Sequence, residues 1–286
     1  MKKIIKNIER FKNSNDGVAG VVIAVLLVGL FLSFIAFIQA VYVPQWIEQE
    51  QAKHMGDIGN QFAHLKFSID TLSITNQPNS QISIPMTLGT DEISFMKSIR
   101  SYGSLNVLPN DYKITIIEKD DDTSSYILGS LKYDSQNTHY IDQSYTYENG
   151  ALILSQAKGD VMVIQPSLSV VDAEDLSFEL IKLVGFGNKT SASGYGTYPV
   201  KTKYYNSFEK NIYNVEKIKI QSQYTSPWKK FINDTFINSA LNFSVDDTNL
   251  QNEFIITFYD TDDANLPKLE LKVTEIEIQI SPGWVS

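Results

Sequence analysis

From Val18 to Tyr42 the chain runs VAGVVIAVLLVGLFLSFIAFIQAVY without one charged side chain. A hydrocarbon core about 30 Å thick is crossed by roughly 20 apolar helical residues, so this run is long enough to span a bilayer with some tilt. Whatever the rest of the chain folds into must accommodate one lipid-compatible helix near its start.

Charge sets the expected orientation. Lys2, Lys3, Lys6, Arg10 and Lys12 precede the run against Glu9 and Asp16, a net of +3 in a chain of −9, which leaves −12 for the remainder. Basic residues flanking a span stay cytoplasmic, which puts the acidic remainder outside. A secretory signal fits poorly, because its apolar region is about 7 to 15 residues long and ends in small residues at the cleavage site. This run is longer and ends in Val-Tyr-Val-Pro-Gln-Trp, with Tyr42 and Trp46 at the level of an interfacial aromatic belt.

The approach to the span is also informative. A short basic leader, then Asp16-Gly17, then Val18-Ala19-Gly20-Val21 opening an apolar helix, resembles the class III signal of archaeal type IV pilins and archaellins. The resemblance implies that a prepilin peptidase cuts between Gly17 and Val18, and that the helix then packs against pilin-like subunits in a filament. The fifth position after that cut is Val22, where many bacterial pilins carry glutamate. The same leader also describes an ordinary signal anchor that is never cleaved, and both readings stand at this point.

Beyond the span, Pro44 marks a place where a helix is kinked or restarted, and Gln45 to Leu72 contains no further proline. Met55, Ile58, Phe62, Leu65, Ile69 and Leu72 recur every three or four residues, one face of a helix. Gly56 and Gly59 each lower helix propensity by about 1 kcal/mol relative to alanine, so this stripe must pack on something, most simply on the chain's own exterior domain. Pairing with neighbouring subunits is the alternative.

From about residue 80 the pattern becomes that of β-strands. Residues 81–85, 112–118, 126–128, 161–164, 215–221 and 253–259 are short and rich in β-branched and aromatic side chains. Leu269 to Ile280 reads as one long alternating strand, apolar on one face and charged on the other, as an antiparallel strand on a sandwich surface requires. Asn149-Gly150 between two β-prone runs predicts a type I′ hairpin. Ser226 as N-cap and Pro227 at the first position predict one short helix, with Trp228, Phe231, Ile232, Thr235 and Phe236 on its inner face. The expected fold is α+β: a leader over 1–17, a transmembrane helix over 18–43, a helical extension over 44–75 and a mainly antiparallel, β-sandwich-like exterior domain over 76–286.

Two stretches carry a longer-range resemblance. Tyr147-Glu-Asn-Gly-Ala-Leu-Ile with the later Gln165-Pro-Ser, and Ile220-Gln-Ser-Gln-Tyr-Thr-Ser-Pro-Trp-Lys-Lys-Phe, are similar to segments of uncharacterised euryarchaeal surface proteins with a pilin-type N-terminus. That resemblance implies topology and a surface location, and no chemistry.

Catalytic patterns are sparse. The chain has no cysteine, which excludes thiolate chemistry and disulfides. Its histidines, His54, His64 and His139, form no HExxH spacing, and the first two read as solvated residues on a helix margin. Asp120 to Asp122 reads as a polar hairpin connection. Asp260 to Asn265 lacks the glycine and fifth-position ligand of an EF-hand and reads as a solvated turn. Gly185 to Thr197 has no Walker spacing and reads as an exposed loop. No catalytic, metal or cofactor residue is expected, and the acidic exterior disfavours nucleic acid. Asn188, Asn233 and Asn242 open Asn-x-Ser/Thr sequons and are candidate N-glycosylation acceptors, Asn188 first.

The expected partners are therefore membrane lipid, a prepilin peptidase and pilin-like subunits. The expected role is a minor or accessory subunit of a pilus-like filament or adhesion device on the cell surface. The alternative is an uncleaved anchored β-domain that binds a surface partner.

Overall fold

The computed structural model describes residues 16–90, 100–171, 175–248, 250–259 and 266–280. The chain divides into two compact units, residues 1–49 and 50–286. Each is described by itself.

The first unit is helical. Helix α1 covers Asp16–Phe37, a π-helical turn covers Ile38–Tyr42, and helix α2, Val43–Thr75, begins here. Large apolar side chains along α1, among them Val21, Leu26, Leu30 and Phe34, are each more than half exposed. A soluble fold would bury such a surface. The sequence allowed a kink or restart at Pro44; instead the ladder widens, and the Val43 N–H donates to the Ile38 carbonyl five residues back. Proline at 44 cannot donate to the carbonyl four residues before it and its ring crowds that carbonyl, which accounts for a wider turn at this place. The ring of Tyr42 lies edge-on to Phe37 at 5.9 Å and 6.5 Å from Trp46, an aromatic group at the end of the apolar run.

The second unit continues α2 to Thr75 and then turns to strands. The first eight are β1 (Gln81–Thr87), β2 (Tyr102–Leu108), β3 (Lys113–Glu118), β4 (Thr123–Ile127), β5 (Ser130–Gln136), β6 (Gln143–Glu148), β7 (Ala151–Gln156) and β8 (Gly159–Ile164). There follow β9 (Leu168–Val171), β10 (Asp175–Gly185), β11 (Ser191–Gly194), β12 (Thr197–Ile212), β13 (Val215–Gln221), helix α3 (Thr225–Phe236), β14 (Phe243–Asp247), β15 (Glu253–Phe258) and β16 (Leu269–Ile280). They form a five-stranded sheet β1-β12-β16-β10-β9, a six-stranded sheet β11-β2-β5-β6-β7-β8 and a second five-stranded sheet β14-β15-β13-β3-β4. The predicted α+β architecture, a long helix followed by a β-sandwich-like domain with one short helix, is what the chain adopts.

The stripe on α2 packs on the domain's own sheets. Met55, Ile58, Phe62, Leu65, Ile69 and Leu72 are buried together with Leu105, Tyr133 and Tyr147 of the six-stranded sheet and with Val200, Ile276 and Ile278 of the first sheet. Phe62 stacks on Tyr145 with ring centres 6.0 Å apart. Both cross-strand and helix-to-sheet contacts of this kind remove apolar area from water at about 25 cal/mol per Å².

A second core lies at the other end of the first sheet. Leu176, Phe178, Leu180, Leu269, Leu271 and Val273 of β10 and β16 are buried there with Ile218 and Ile220 of β13, Phe254 and Ile256 of β15, and Trp228, Phe231 and Phe236 of α3. The long strand β16 therefore serves both cores, and this corrects the sequence reading in two ways. Its alternation is not continuous: the apolar positions are 269, 271 and 273 in one half and 276, 278 and 280 in the other, so the buried face switches where Thr274-Glu275 intervenes. Strand β10 switches likewise, from Leu176, Phe178 and Leu180 to Ile181 and Leu183. Nor is β16 a surface antiparallel strand, because it lies inside the sheet, parallel to β10 on one side and antiparallel to β12 on the other. The register of β12 against β16 shifts between Tyr204 and Asn206, opposite Ile276 and Glu275, so the bulge falls at the switch.

The switch is also where α2 ends. The buried Ser73 hydroxyl contacts Thr274 Oγ1 at 2.8 Å and donates to Glu179, while Lys272 Nζ donates to the Ser73 carbonyl at 2.8 Å and pairs with Glu179 at 3.2 Å. A cation on a carbonyl near the helix C-terminus satisfies an acceptor that the helix cannot.

Other local expectations fare as follows. Asn149 and Gly150 both have positive φ, 48° and 79°, and join β6 to β7 as the two-residue hairpin requires. Asp120 to Asp122 link β3 to β4 with Asp121 at φ 63°. The N-cap of α3 is Tyr224, not Ser226, and no side chain caps it. Pro227 is thus the third helical residue, still within the first turn where a missing N–H costs nothing. The second half of the Gly185 to Thr197 loop is not loop: Ser191–Gly194 is β11, paired to β2.

Candidate functional site

The residues expected to be processed lie at the start of the described chain. Gly17 and Val18 are within α1, and the leader at 1–15 falls outside the described residues. Further along, Gly20 and Gly29 would meet nothing with an added Cβ, and the Ser33 hydroxyl donates back to the Gly29 carbonyl at 2.8 Å. This helix is long and apolar enough to cross a membrane by length and composition.

Two of the three histidines line one polar groove. Glu50, His54, Asp57, Gln61 and His64 recur at helical spacing along α2 and, with Thr87, Gly89 and Thr90, bound an open cavity of about 400 Å³. Gln61 fixes its floor, with its side-chain oxygen accepting from the Thr87 N–H at 2.9 Å. The expectation that His54 is solvated is overturned. Its ring is buried, Nε2 lies 3.1 Å from the Tyr133 hydroxyl, and that hydroxyl donates to the Leu88 carbonyl at 2.7 Å. The residue sits at the boundary of the apolar stripe, where a helix margin turns inward. His64 is exposed, and so is His139, whose backbone N–H donates to Gln51 Oε1 at 2.9 Å. Among the described residues no three His, Cys, Asp or Glu side chains come together as metal ligands. The Asp260 to Asn265 stretch lies outside the described residues.

The most unusual chemistry is in the interior, and the sequence reading missed it. Glu148, at the end of β6, is completely buried, and one carboxyl oxygen, Oε1, accepts from the Ser222 hydroxyl at 2.6 Å and from the Trp228 indole N–H. The other oxygen, Oε2, is buried without a hydrogen-bond partner. Trp228 stacks on Tyr112 at 5.1 Å, and the Tyr224 hydroxyl contacts Thr146 Oγ1 at 2.8 Å. Burial pushes the Glu148 carboxyl up to about 7; the bonds from Ser222 and Trp228 pull it down and the charge of Asp111 raises it. The two sequence stretches around Glu148 and Trp228 thus meet in space although some eighty residues separate them. A glutamate directly after two alternating tyrosines and before the hairpin turn, Tyr-Thr-Tyr-Glu-Asn-Gly, was the available signal.

The three sequon asparagines are all exposed: Asn188 in the turn between β10 and β11, Asn233 on α3, and Asn242 before β14. Thr235 of the second sequon is half-buried and donates to the Phe231 carbonyl at 2.8 Å, whereas Asn188 sits in non-helical chain.

No known protein family, curated protein or solved structure matches this chain.

Proposed function

We propose that this chain is a membrane-anchored surface protein of pilin-like type, held by α1 and displaying the β-rich domain outside the cell as a minor or accessory subunit of a filament or adhesion device. The observation that carries the anchoring is the charge-free run from Val18 to Tyr42, whose large apolar side chains along α1 are exposed. The pilin-type part rests on the basic leader and Asp16-Gly17 before the apolar helix, with processing between Gly17 and Val18. The folding of the 55–72 stripe onto the domain's own sheets supports the intramolecular role read for it, which leaves α1 as the surface offered to lipid or to other subunits. Asn188 is the first acceptor for N-linked glycan, because it stands exposed in a turn.

The second reading, an anchor that is never cleaved, draws on the same basic leader and glycine before the apolar helix, and Val22 at the fifth position after the proposed cut counts against filament assembly. One experiment separates the two. The protein is expressed with an active archaeal prepilin peptidase and its N-terminus is mapped by intact mass. A start at Val18 supports pilin-type processing; a start at Met1, with a control substrate cleaved, sinks it and leaves the anchored domain.

A further inference from the structure

The carboxyl of Glu148 is completely buried, and among the described residues none of those it touches is a cation. From the connection between β13 and α3 come Ser222 and Tyr224, from α3 comes Trp228, and from the β2–β3 connection come Asp111 and Tyr112. Ser130 of β5 stands directly opposite Glu148 in the sheet and gives its hydroxyl to Asp111 at 3.0 Å. Lys132 feels the charges of Tyr224 and Asp111 and is paired with Asp134 at 3.1 Å. Asp111 is itself held by Ser130 and by Gln223 Nε2 at 2.8 Å. With two donors on one oxygen and none on the other, Oε2 is bare in either protonation state, and a bare buried hydroxyl costs less than a bare buried charge, which favours the neutral acid. An ionised carboxylate in the same place would be a buried charge with half its acceptor capacity empty, which costs several kcal/mol by ordinary desolvation.

We propose that Glu148 is a proton-operated latch between strand β6 and helix α3, holding the helix on the sheet while its carboxyl is neutral and releasing it to water when the proton leaves. The element it biases is the segment from Ser222 to Phe236, because the two donors that grip Glu148 are the residue after β13 and the first large residue of α3. Release carries the Trp228 indole off its stack with Tyr112 and lets solvent reach the carboxylate. Phe231 of the same helix lines cavities of about 210 and 430 Å³ on two sides, against β8 and against β9, so the helix has room to move.

Linkage fixes the shape of the response. A carboxyl that is hard to ionise when closed and ordinary when open makes opening about tenfold easier for each pH unit between the two values, and no easier above the higher one. The test uses the full chain in detergent micelles, with hydrogen exchange across residues 225–236 followed from pH 5 to 9 and corrected for intrinsic rates. The expected result is protection that falls about tenfold per unit up to near neutrality and then levels, with Glu148→Gln abolishing that fall. Glutamine keeps an acceptor for Ser222 and Trp228 and cannot titrate. A wild-type profile that is flat, or a Glu148→Gln profile that keeps the wild-type slope, overturns the latch. Should the variant not fold, the isotope-labelled Glu148 carboxyl resonance decides: a midpoint near neutrality supports it, and a midpoint below about 5 overturns it.

Discussion

The hydroxyl of Tyr145 stands where a side chain on Gly59 would be: a Cβ built at that glycine lies 2.8 Å from the Tyr145 oxygen. Helix α2 can approach the six-stranded sheet this closely only because residue 59 has no side chain, and Tyr145 in turn stacks on Phe62 one helical turn further on. Gly56, on the same helix, faces open space. Gly56→Ala is therefore expected to stabilise the protein by about 0.5 to 1 kcal/mol through helix propensity. Gly59→Ala gains the same propensity but forces the Tyr145 ring aside, and is expected to lie about 1 to 3 kcal/mol below Gly56→Ala. Denaturant midpoints of the two variants check the difference.

Trp228 contributes both shape and a donor. Trp228→Ala is expected to cost about 3 to 5 kcal/mol, because a fully buried side chain leaves a cavity against Tyr112 and Phe231. Trp228→Phe keeps much of the volume and loses only the bond to Glu148, and is expected to cost about 1 to 3 kcal/mol. A Trp228→Phe variant as stable as wild type would show that the indole N–H contributes nothing, and equal losses for the two would show that the bond outweighs the packing.

The face switch in β16 makes a prediction that a one-faced strand would not. Leu271 and Ile278 point to opposite sides of the first sheet and both are buried, one in each core. Leu271→Ala and Ile278→Ala are each expected to cost about 2 to 5 kcal/mol. A loss below 1 kcal/mol for either, measured by equilibrium unfolding, would mean that its side of the sheet faces solvent.

A charge at the centre of α1 tests the anchor. Leu30→Arg places a guanidinium in the middle of the apolar run at a cost of about 3 kcal/mol of insertion free energy. The insertion equilibrium constant is expected to fall about a hundredfold, and a second charge, Leu26→Arg with Leu30→Arg, is expected to make the protein extractable by alkaline carbonate. Full resistance in the double variant would show that α1 does not hold the protein in the bilayer.

Much of this architecture was legible because it is periodic. The 55–72 stripe has the spacing of a helix and is buried where that spacing puts it, and Asn149-Gly150 supplied the φ values its turn needs. What escaped were relationships that alternation alone conceals. In Leu269 to Ile280 the residue types keep alternating by eye, yet the phase slips at Thr274-Glu275, and only the presence of two cores gives that slip a meaning. Strand β12 was missed because its sequence, TYPVKTKYYNSFEKNI, is polar along much of its length while lying between β1 and β16. His54 was read as solvated because one residue beside a stripe can turn either way, and the partner that turns it inward, Tyr133, is 79 positions distant. The Glu148 cluster was invisible for the same reason: a buried acid is defined by what surrounds it, and its two donors come from α3 and the connection before it, more than seventy positions away.

Strands β10 and β16 run through both cores, lining one with their first halves and the other with their second. Losing the shared strands from either core strips a wall from the other, so the two cores are coupled through β10 and β16, while α3, which covers one core only, is free of that coupling. A protease that depends on fraying of the shared strands meets both cores at once, and the two ends of one continuous strand are what join their fates.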